Sequence, residues 1–214
     1  LEFSRETDAV EQRDLAIWGV EGNARIDRSN DFLNPTRGWR AALDAGPGLI
    51  VGDTSAQFFS ATARASHYQP LSSSSRFVLA SRVLAGTIVG AETLDLPVSR
   101  RFFAGGGGSA RGFGFQDIGP VDSDGTPIGG RGLLELSTEI RWRFSDTLGF
   151  AFFADSASVT DNIAPSFEDL RLGLGAGIRY FTAIGPLRLD IGTPINPGPD
   201  DDPVQVYISI GQAF

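Results

Sequence analysis

The chain has 214 residues, a formal net charge of −8 and no cysteine. The acidic balance argues against a nucleic-acid partner, because phosphate binding needs a basic face. The lack of cysteine excludes disulfide scaffolds and thiolate metal sites. No apolar run approaches the ~20 residues of a transmembrane helix, whereas a closed β-barrel crosses a bilayer with alternating apolar residues.

Residues 1–13 are polar and charged, and they begin without a Met. They also contain no charged-then-apolar signal segment. We therefore interpret the chain as a processed or excised piece, with residues 1–13 as the remnant of an extracellular loop or of cloning.

Period-two alternation, which is typical of β-strands, recurs from residue 14 to the end of the chain, and helical periodicity is almost absent. It predicts nine strands over residues 14–26, 37–46, 55–68, 75–88, 132–144, 148–159, 170–181, 186–192 and 203–211.

The predicted connections alternate strictly in length. Short ones lie near 34–38, 69–74, 145–147 and 182–185, and long ones near 46–54, 89–131, 160–168 and 193–203. Short periplasmic turns and long extracellular loops produce this alternation in outer-membrane barrels. Nine is an odd count, whereas bacterial single-chain barrels have an even one. Either the strand count is wrong, or further strands of this chain or of partner chains are missing. Because the N-terminus looks cut, we expect residues 14–214 to be the C-terminal part of a larger antiparallel transmembrane β-barrel.

The strand predicted at 132–144 shows the two faces most clearly. Its apolar face consists of Leu134, Leu136, Thr138, Ile140, Trp142 and Phe144, and its ionic face of Glu135, Ser137, Glu139, Arg141 and Arg143. In the strand at 170–181, Arg171 and Arg179 share the polar face with glycines. A water-filled lumen accepts such a face, whereas a soluble core does not.

The connection 89–131 contains the segment Arg101–Phe113, which reads RFFAGGGGSARGF. This segment resembles the hallmark of the BamA/TamA family, a Phe/Tyr-Ala-Gly-Gly stretch followed by a hydrophobic-Arg-Gly-Phe/Tyr tip. The resemblance implies that 89–131 is a long loop that folds into the barrel, with Arg111, Gly112 and Phe113 at its tip. Ala110 stands where Val or Ile is usual.

The family's acidic docking partners correspond to Glu139 and Asp155 on the next two strands. The alternation independently turns both carboxylates away from lipid, and a guanidinium can bind carboxylates through oriented, charge-assisted hydrogen bonds. We therefore predict a loop latch formed by Arg111, Gly112, Phe113, Glu139 and Asp155.

Further matches extend the resemblance from about Asp27 to Phe214. They are the turn Asn34–Gly38, the glycine-rich strand Gly173–Arg179 with the following Ile184–Asp190, and an aromatic C-terminal residue. The opening of the long loop looks somewhat closer to TamA than to BamA. By the same resemblance, Val206, Ile208, Ile210 and Phe214 form the C-terminal strand signal and one side of the barrel seam.

The resemblance implies a factor of the bacterial outer membrane that assembles, inserts or translocates other proteins, without enzymatic chemistry, cofactor or metal. Its expected partners are outer-membrane lipid, client β-barrel or autotransporter proteins, and the missing periplasmic domains and early strands. The alternatives are a passive or two-partner secretion pore, an outer-membrane enzyme, and a soluble β-sandwich. An enzyme would depend on His67, the only histidine, and Arg111 with its acids could be a merely structural lumen salt bridge.

Overall fold

A computed structural model describes residues 2–7, 12–167, 169–199 and 201–214 of the chain. It contains the strands β1 (Glu2–Thr7), β2 (Gln12–Gly19), β3 (Gly22–Asp27), β4 (Gly38–Gly52), β5 (Ala56–Pro70), β6 (Phe77–Val89), β7 (Gly132–Arg143), β8 (Leu148–Thr160), β9 (Arg171–Thr182), β10 (Gly185–Pro194) and β11 (Gln205–Ile210). Two single-turn 3₁₀ helices, Thr93–Asp95 and Val98–Arg100, lie in the long β6–β7 connection. Over the described residues, no helix has the length and hydropathy needed to cross a membrane.

All eleven strands belong to one antiparallel sheet, in which strands pair with their neighbours along the chain, except that β2 and β3 both pair with β4. The order runs β1-β2-β4-β5-β6-β7-β8-β9-β10-β11, and β3 continues β2 alongside β4. Among the described strands, β1 and β11 are the two edges, so the sheet does not close on itself. The architecture is the antiparallel transmembrane β-barrel expected from the sequence, present here as a partial barrel.

The two faces of the sheet are distributed as the alternation predicts. On β7, Glu139 and Arg141 are buried inside, whereas the intervening Ile140 is exposed on the outer face. On β9, the Arg179 side chain is buried and Ile178 is exposed. An exposed apolar outer face around a buried ionic interior is the arrangement of a membrane barrel, the inverse of a soluble sandwich.

Two expectations about the N-terminal region are wrong. Strand β1 occupies Glu2–Thr7 and pairs with β2, so this part of residues 1–13 is not a loop remnant. The single strand predicted at 14–26 is interrupted at Val20 and Glu21. Its register against β4 is nevertheless unchanged, with Gly19 opposite Gly48 and Gly22 opposite Ala45.

The break between β2 and β3 at Val20 and Glu21 has a physical cause in the facing strand, β4, whose predicted end is also wrong. The strand predicted at 37–46 ends at Gly46, whereas β4 continues to Gly52 through Pro47 and Gly48. Pro47 lies opposite the interruption and has no amide hydrogen to donate to the neighbouring strand. At Gly46, a Cβ would stand only 1.8 Å from the carbonyl oxygen of Val20. Strand β4 therefore continues through Gly46 and Pro47, whereas its neighbour is divided there into β2 and β3.

The strict length alternation of the connections is consequently wrong at two successive connections. The loop predicted at 46–54 is reduced to a turn at 53–55, and the β3–β4 connection, 28–37, is longer than expected. The remaining connections keep the predicted pattern, from the tight turn at 183–184 to the long connection at 90–131.

Candidate functional site

The long connection 90–131 folds into the interior of the sheet. Backbone bridges join Phe102 to Gly130 and Ala104 to Ile118, so its two arms run side by side. An apolar cluster packs these arms against the inner face of β6, β7 and β8; it consists of Leu84, Ala104, Ala110, Phe113, Ile118, Leu133, Ala157 and Val159. The loop is therefore a packed part of the interior.

Glycines of the loop and of the facing strands allow the loop tip to approach the barrel wall. Gly112 has a φ of +108°, and its Cα lies close to Gly173 of β9. A Cβ at Gly173 would stand 2.0 Å from the carbonyl oxygen of Arg111, and one at Gly192 would stand 2.8 Å from the amide nitrogen of Gly112. These glycines of β9 and β10 therefore allow the backbone of the loop tip to pack closely against the barrel wall.

Arg111 lies at the centre of the interior with its side chain almost fully buried. Its Nε is 2.7 Å from Asp155 Oδ2 and its Nη2 is 3.2 Å from Asp155 Oδ1, a bidentate pair to which its backbone amide adds a third bond of 3.1 Å. Its Nη1 donates to Glu139 Oε2 at 2.8 Å and to Asp190 Oδ2 at 3.0 Å. The guanidinium also lies over the Phe153 ring, 3.6 Å from the ring centroid. The structure thus brings together Arg111, Glu139 and Asp155, and it adds Asp190.

Further arginines surround these carboxylates. Arg141 Nε donates to Glu139 at 2.7 Å, and Arg179 Nη2 donates to the same carboxylate at 3.1 Å. Asp190 contacts Arg179 and lies 3.3 Å from Arg188 Nε. Removing one member of such a buried network leaves a buried charge without its partner, which typically lowers the free energy of unfolding by about 3–5 kcal/mol.

A second polar clamp holds the glycine-rich arm of the loop. Arg82 of β6 pairs with Glu135 of β7 at 3.0 Å and donates to the carbonyl oxygens of Gly108 and Ser109, both at 3.1 Å. The Ser109 hydroxyl donates to the same Glu135 carboxylate. The sequence places Glu135 on the ionic face, but this contact with the loop was not predicted.

Tyr207 of β11 contacts the loop tip directly. Its hydroxyl accepts a hydrogen bond from the Gly112 amide at 2.9 Å and donates one to the Phe113 carbonyl oxygen at 2.7 Å. Tyr207, Asp190 and Arg179 belong to the site but were not predicted from the sequence. The only available signal was that each of them lies on the inward side of its strand's alternation.

The residues predicted as a C-terminal signal lie on opposite sides of the barrel wall. Val206, Ile208 and Ile210 are exposed on the outer face of β11. Gly211, with a φ of +90°, turns the chain away from the strand direction. Phe214 consequently lies inside the barrel. It packs against a cluster of Tyr68, Val78 and Ala80, and its carbonyl oxygen accepts a bond of 3.1 Å from Arg141.

His67, on which the enzyme alternative depends, is exposed on the outer face of β5. Its neighbours Ser66 and Tyr68 are buried on the inner side. Adjacent residues of a strand point to opposite faces, so these three side chains do not form a catalytic set.

Comparison with known proteins gives matches over nearly the whole chain. The model of the Omp85 superfamily domain matches residues 3–214. The outer membrane protein assembly factor BamA of Nitratidesulfovibrio vulgaris (strain Hildenborough) is 29% identical over 88% of the chain, and that of Neisseria meningitidis serogroup B (strain MC58) is 24% identical over 88%. The chain spans only 24% and 28% of these two relatives.

The fold is also found among solved structures. The crystal structure of BamA from Haemophilus ducreyi lacking POTRA domains 1–3 superposes with a TM-score of 0.74 at 21% sequence identity. The match covers 92% of this chain and 42% of that one. These comparisons do not distinguish BamA from TamA, so the closer likeness to TamA stays a prediction.

Proposed function

The chain belongs to the Omp85 superfamily, and we propose that it is the C-terminal barrel part of a factor that inserts and assembles proteins in the bacterial outer membrane. The single observation that carries the proposal is the burial of Arg111, at the tip of an inward-folded loop, among carboxylates from three strands of the barrel wall. The matches to two proteins named as assembly factors support the same assignment.

The outer surface supports a location in a lipid bilayer. Its apolar side chains include an aromatic group, in which the Trp142 ring stacks on Phe77 with 5.7 Å between ring centroids and contacts Phe144 and Phe150. Phe77 and Phe144 are exposed, and Trp142 and Phe150 are half-buried. These rings lie near the β7–β8 turn, and aromatic girdles of membrane barrels occupy the boundary between hydrocarbon and water. The lipid partner we propose is the outer-membrane bilayer.

The open sheet and the partial coverage of the relatives support a larger native barrel. In lipid, each unpaired backbone group costs several kcal/mol, so the free edges of β1 and β11 call for further strands. We propose that early strands and N-terminal periplasmic domains complete the protein, and that these 214 residues alone do not assemble clients.

The proposed mechanism is strand addition without covalent chemistry. Strand β11 is short and pairs only with β10 among the described strands. A short edge strand can exchange its weak partner for an incoming strand, because main-chain hydrogen bonds supply the affinity and the side-chain alternation supplies the register. Client β-barrels or autotransporters would enter at this edge.

The test uses the whole protein that carries this barrel, reconstituted in phospholipid liposomes. A urea-unfolded eight-stranded outer-membrane protein is added, and its folded fraction is followed by its shift in gel mobility without heating. We expect the wild type to accelerate folding and Arg111→Ala to return the rate to that of empty liposomes. Arg25→Ala is the matched control, because the Arg25 side chain is mostly exposed and its ion pair with Asp44 is long, at 3.4 Å.

Two results would contradict the proposal. One is a wild-type rate no higher than that of empty liposomes. The other is steady ion conductance without any client insertion, which would favour the passive or two-partner secretion pore.

A further inference from the structure

Strand β11 is held in the sheet from one side only. Its six residues pair with β10 from Leu187 opposite Ile210 to Gly192 opposite Gln205, and no described strand pairs with its other edge. The position of β11 therefore depends on a few backbone hydrogen bonds to β10 and on the contacts of its inward-facing side chains.

Tyr207 is the inward side chain of β11 that contacts the loop, and it holds the loop at two separate points. Its hydroxyl is satisfied as both acceptor and donor by Gly112 and Phe113, the two residues that follow Arg111. Its ring packs over Gly107, where a Cβ would stand 3.0 Å from Cδ1. An interior hydroxyl with both functions satisfied is costly to displace, because each broken bond leaves a desolvated polar group.

The loop tip is in turn fixed to strands on the other side of the interior. Arg111 is paired with Glu139 of β7 and Asp155 of β8. A second connection reaches the chain just beyond β11, where Arg141 bridges Glu139 and the carbonyl oxygen of Phe214. Strand β11 and the segment after it are thus joined to one ionic network through the loop tip and through Arg141.

We propose that Tyr207 is a positioning residue that couples the last strand to the loop tip. Moving β11 away from β10 then breaks the bonds to Gly112 and Phe113 and loosens Arg111. Freeing the loop tip, in turn, loosens β11, because a coupling free energy between two sites acts equally in both directions. This inference rests on the proposed function only in naming β11 as the edge where clients pair, and it adds that client pairing and loop release are one coupled event.

Hydrogen–deuterium exchange read by mass spectrometry, on the whole protein in lipid nanodiscs, tests the coupling. Tyr207→Phe removes the hydroxyl and keeps the ring. We expect exchange to become about tenfold faster both in the peptide spanning 105–116 and in β11, since the two hydrogen bonds of the Tyr207 hydroxyl are lost. Tyr180→Phe is the matched control, because Tyr180 loses the same hydroxyl on the exposed outer face of β9.

A double-mutant cycle separates coupling from simple loop support. Asp155→Asn weakens the other side of the latch, so it should speed exchange in β11 when Tyr207 is present and leave β11 unchanged in the Tyr207→Phe background. Faster exchange confined to the loop in Tyr207→Phe overturns the proposal, as does a β11 response to Asp155→Asn that persists without the hydroxyl.

A second measurement leaves Tyr207 intact. The chain has no cysteine, so Leu189→Cys with Ile208→Cys introduces one disulfide between partnered residues of β10 and β11. The oxidised protein should exchange more slowly at 105–116 than the reduced protein, and equal rates would overturn the coupling. Because neither measurement needs a client, the coupling can hold while the assembly assay fails, and the two conclusions stay distinguishable.

Discussion

The carbonyl oxygen of Arg111 occupies the space that a Cβ would need at Gly173, only 2.0 Å from the position of that atom. The backbone of the loop tip and the backbone of β9 therefore touch directly, and a backbone oxygen cannot move aside as the end of a flexible side chain can. The latch thus depends on a glycine that carries no chemistry of its own.

We expect Gly173→Ala to push the loop tip off the wall and to lower the free energy of unfolding by about 1–3 kcal/mol, as overpacking does elsewhere. Urea unfolding of the barrel in lipid vesicles, read by gel mobility, measures this change. Gly108→Ala is the control, because no atom lies within 4 Å of the Cβ it would add. Equal stability of the two variants would contradict the proposed close contact.

The third carboxylate of the network gives a second prediction. Asp190 contacts Arg111, Arg179 and Arg188, and it is fully buried. Asp190→Asn leaves these guanidinium groups short of one negative charge, so we expect a loss of about 3–5 kcal/mol in unfolding free energy. Asp146→Asn, in the β7–β8 turn, should change stability by no more than about 0.5 kcal/mol. The same urea titration compares Asp190→Asn with Asp146→Asn. A decrease in unfolding free energy for Asp190→Asn as small as that of the control would contradict the prediction.

The inward turn at Gly211 gives a third prediction, on the environment of the last residues. Single cysteines at 208 and 214 can each carry a nitroxide label, since the chain has no other cysteine. The label in Ile208→Cys should be relaxed mainly by oxygen, which concentrates in lipid, because Ile208 is 82% exposed on the outer face. The label in Phe214→Cys should be relaxed mainly by a water-soluble nickel chelate. Oxygen accessibility at 214 equal to that at 208 would place Phe214 on the lipid face instead.

Much of the barrel wall could be predicted because strand alternation is a local property. The ionic face of β7 follows from the period-two geometry of a single strand, and the structure places Glu139 and Arg141 inside accordingly. The same local reasoning failed at Gly46 and Pro47. There, a turn signal lies within a strand, because the pairing of β4 with β5 continues past it.

The candidate site was predictable only in part. Arg111, Glu139 and Asp155 were identified from a motif and from strand faces, but Asp190 and Tyr207 carry no motif. They join the site because β10 and β11 curve round to face the loop tip. Sequence spacing does not encode that distance, since Gly112 and Tyr207 are 95 positions apart.

The sequence by itself determined most of the strands from β5 onward, which of their faces are ionic and which apolar, and the loop that carries Arg111, because each depends on neighbouring residues within one strand or one segment. Only the tertiary structure decided that Asp190 joins Glu139 and Asp155 at Arg111, that Tyr207 contacts the loop tip from the last strand, and that Phe214 turns inward. These contacts join residues far apart in the chain, and they depend on how the sheet curves around the loop.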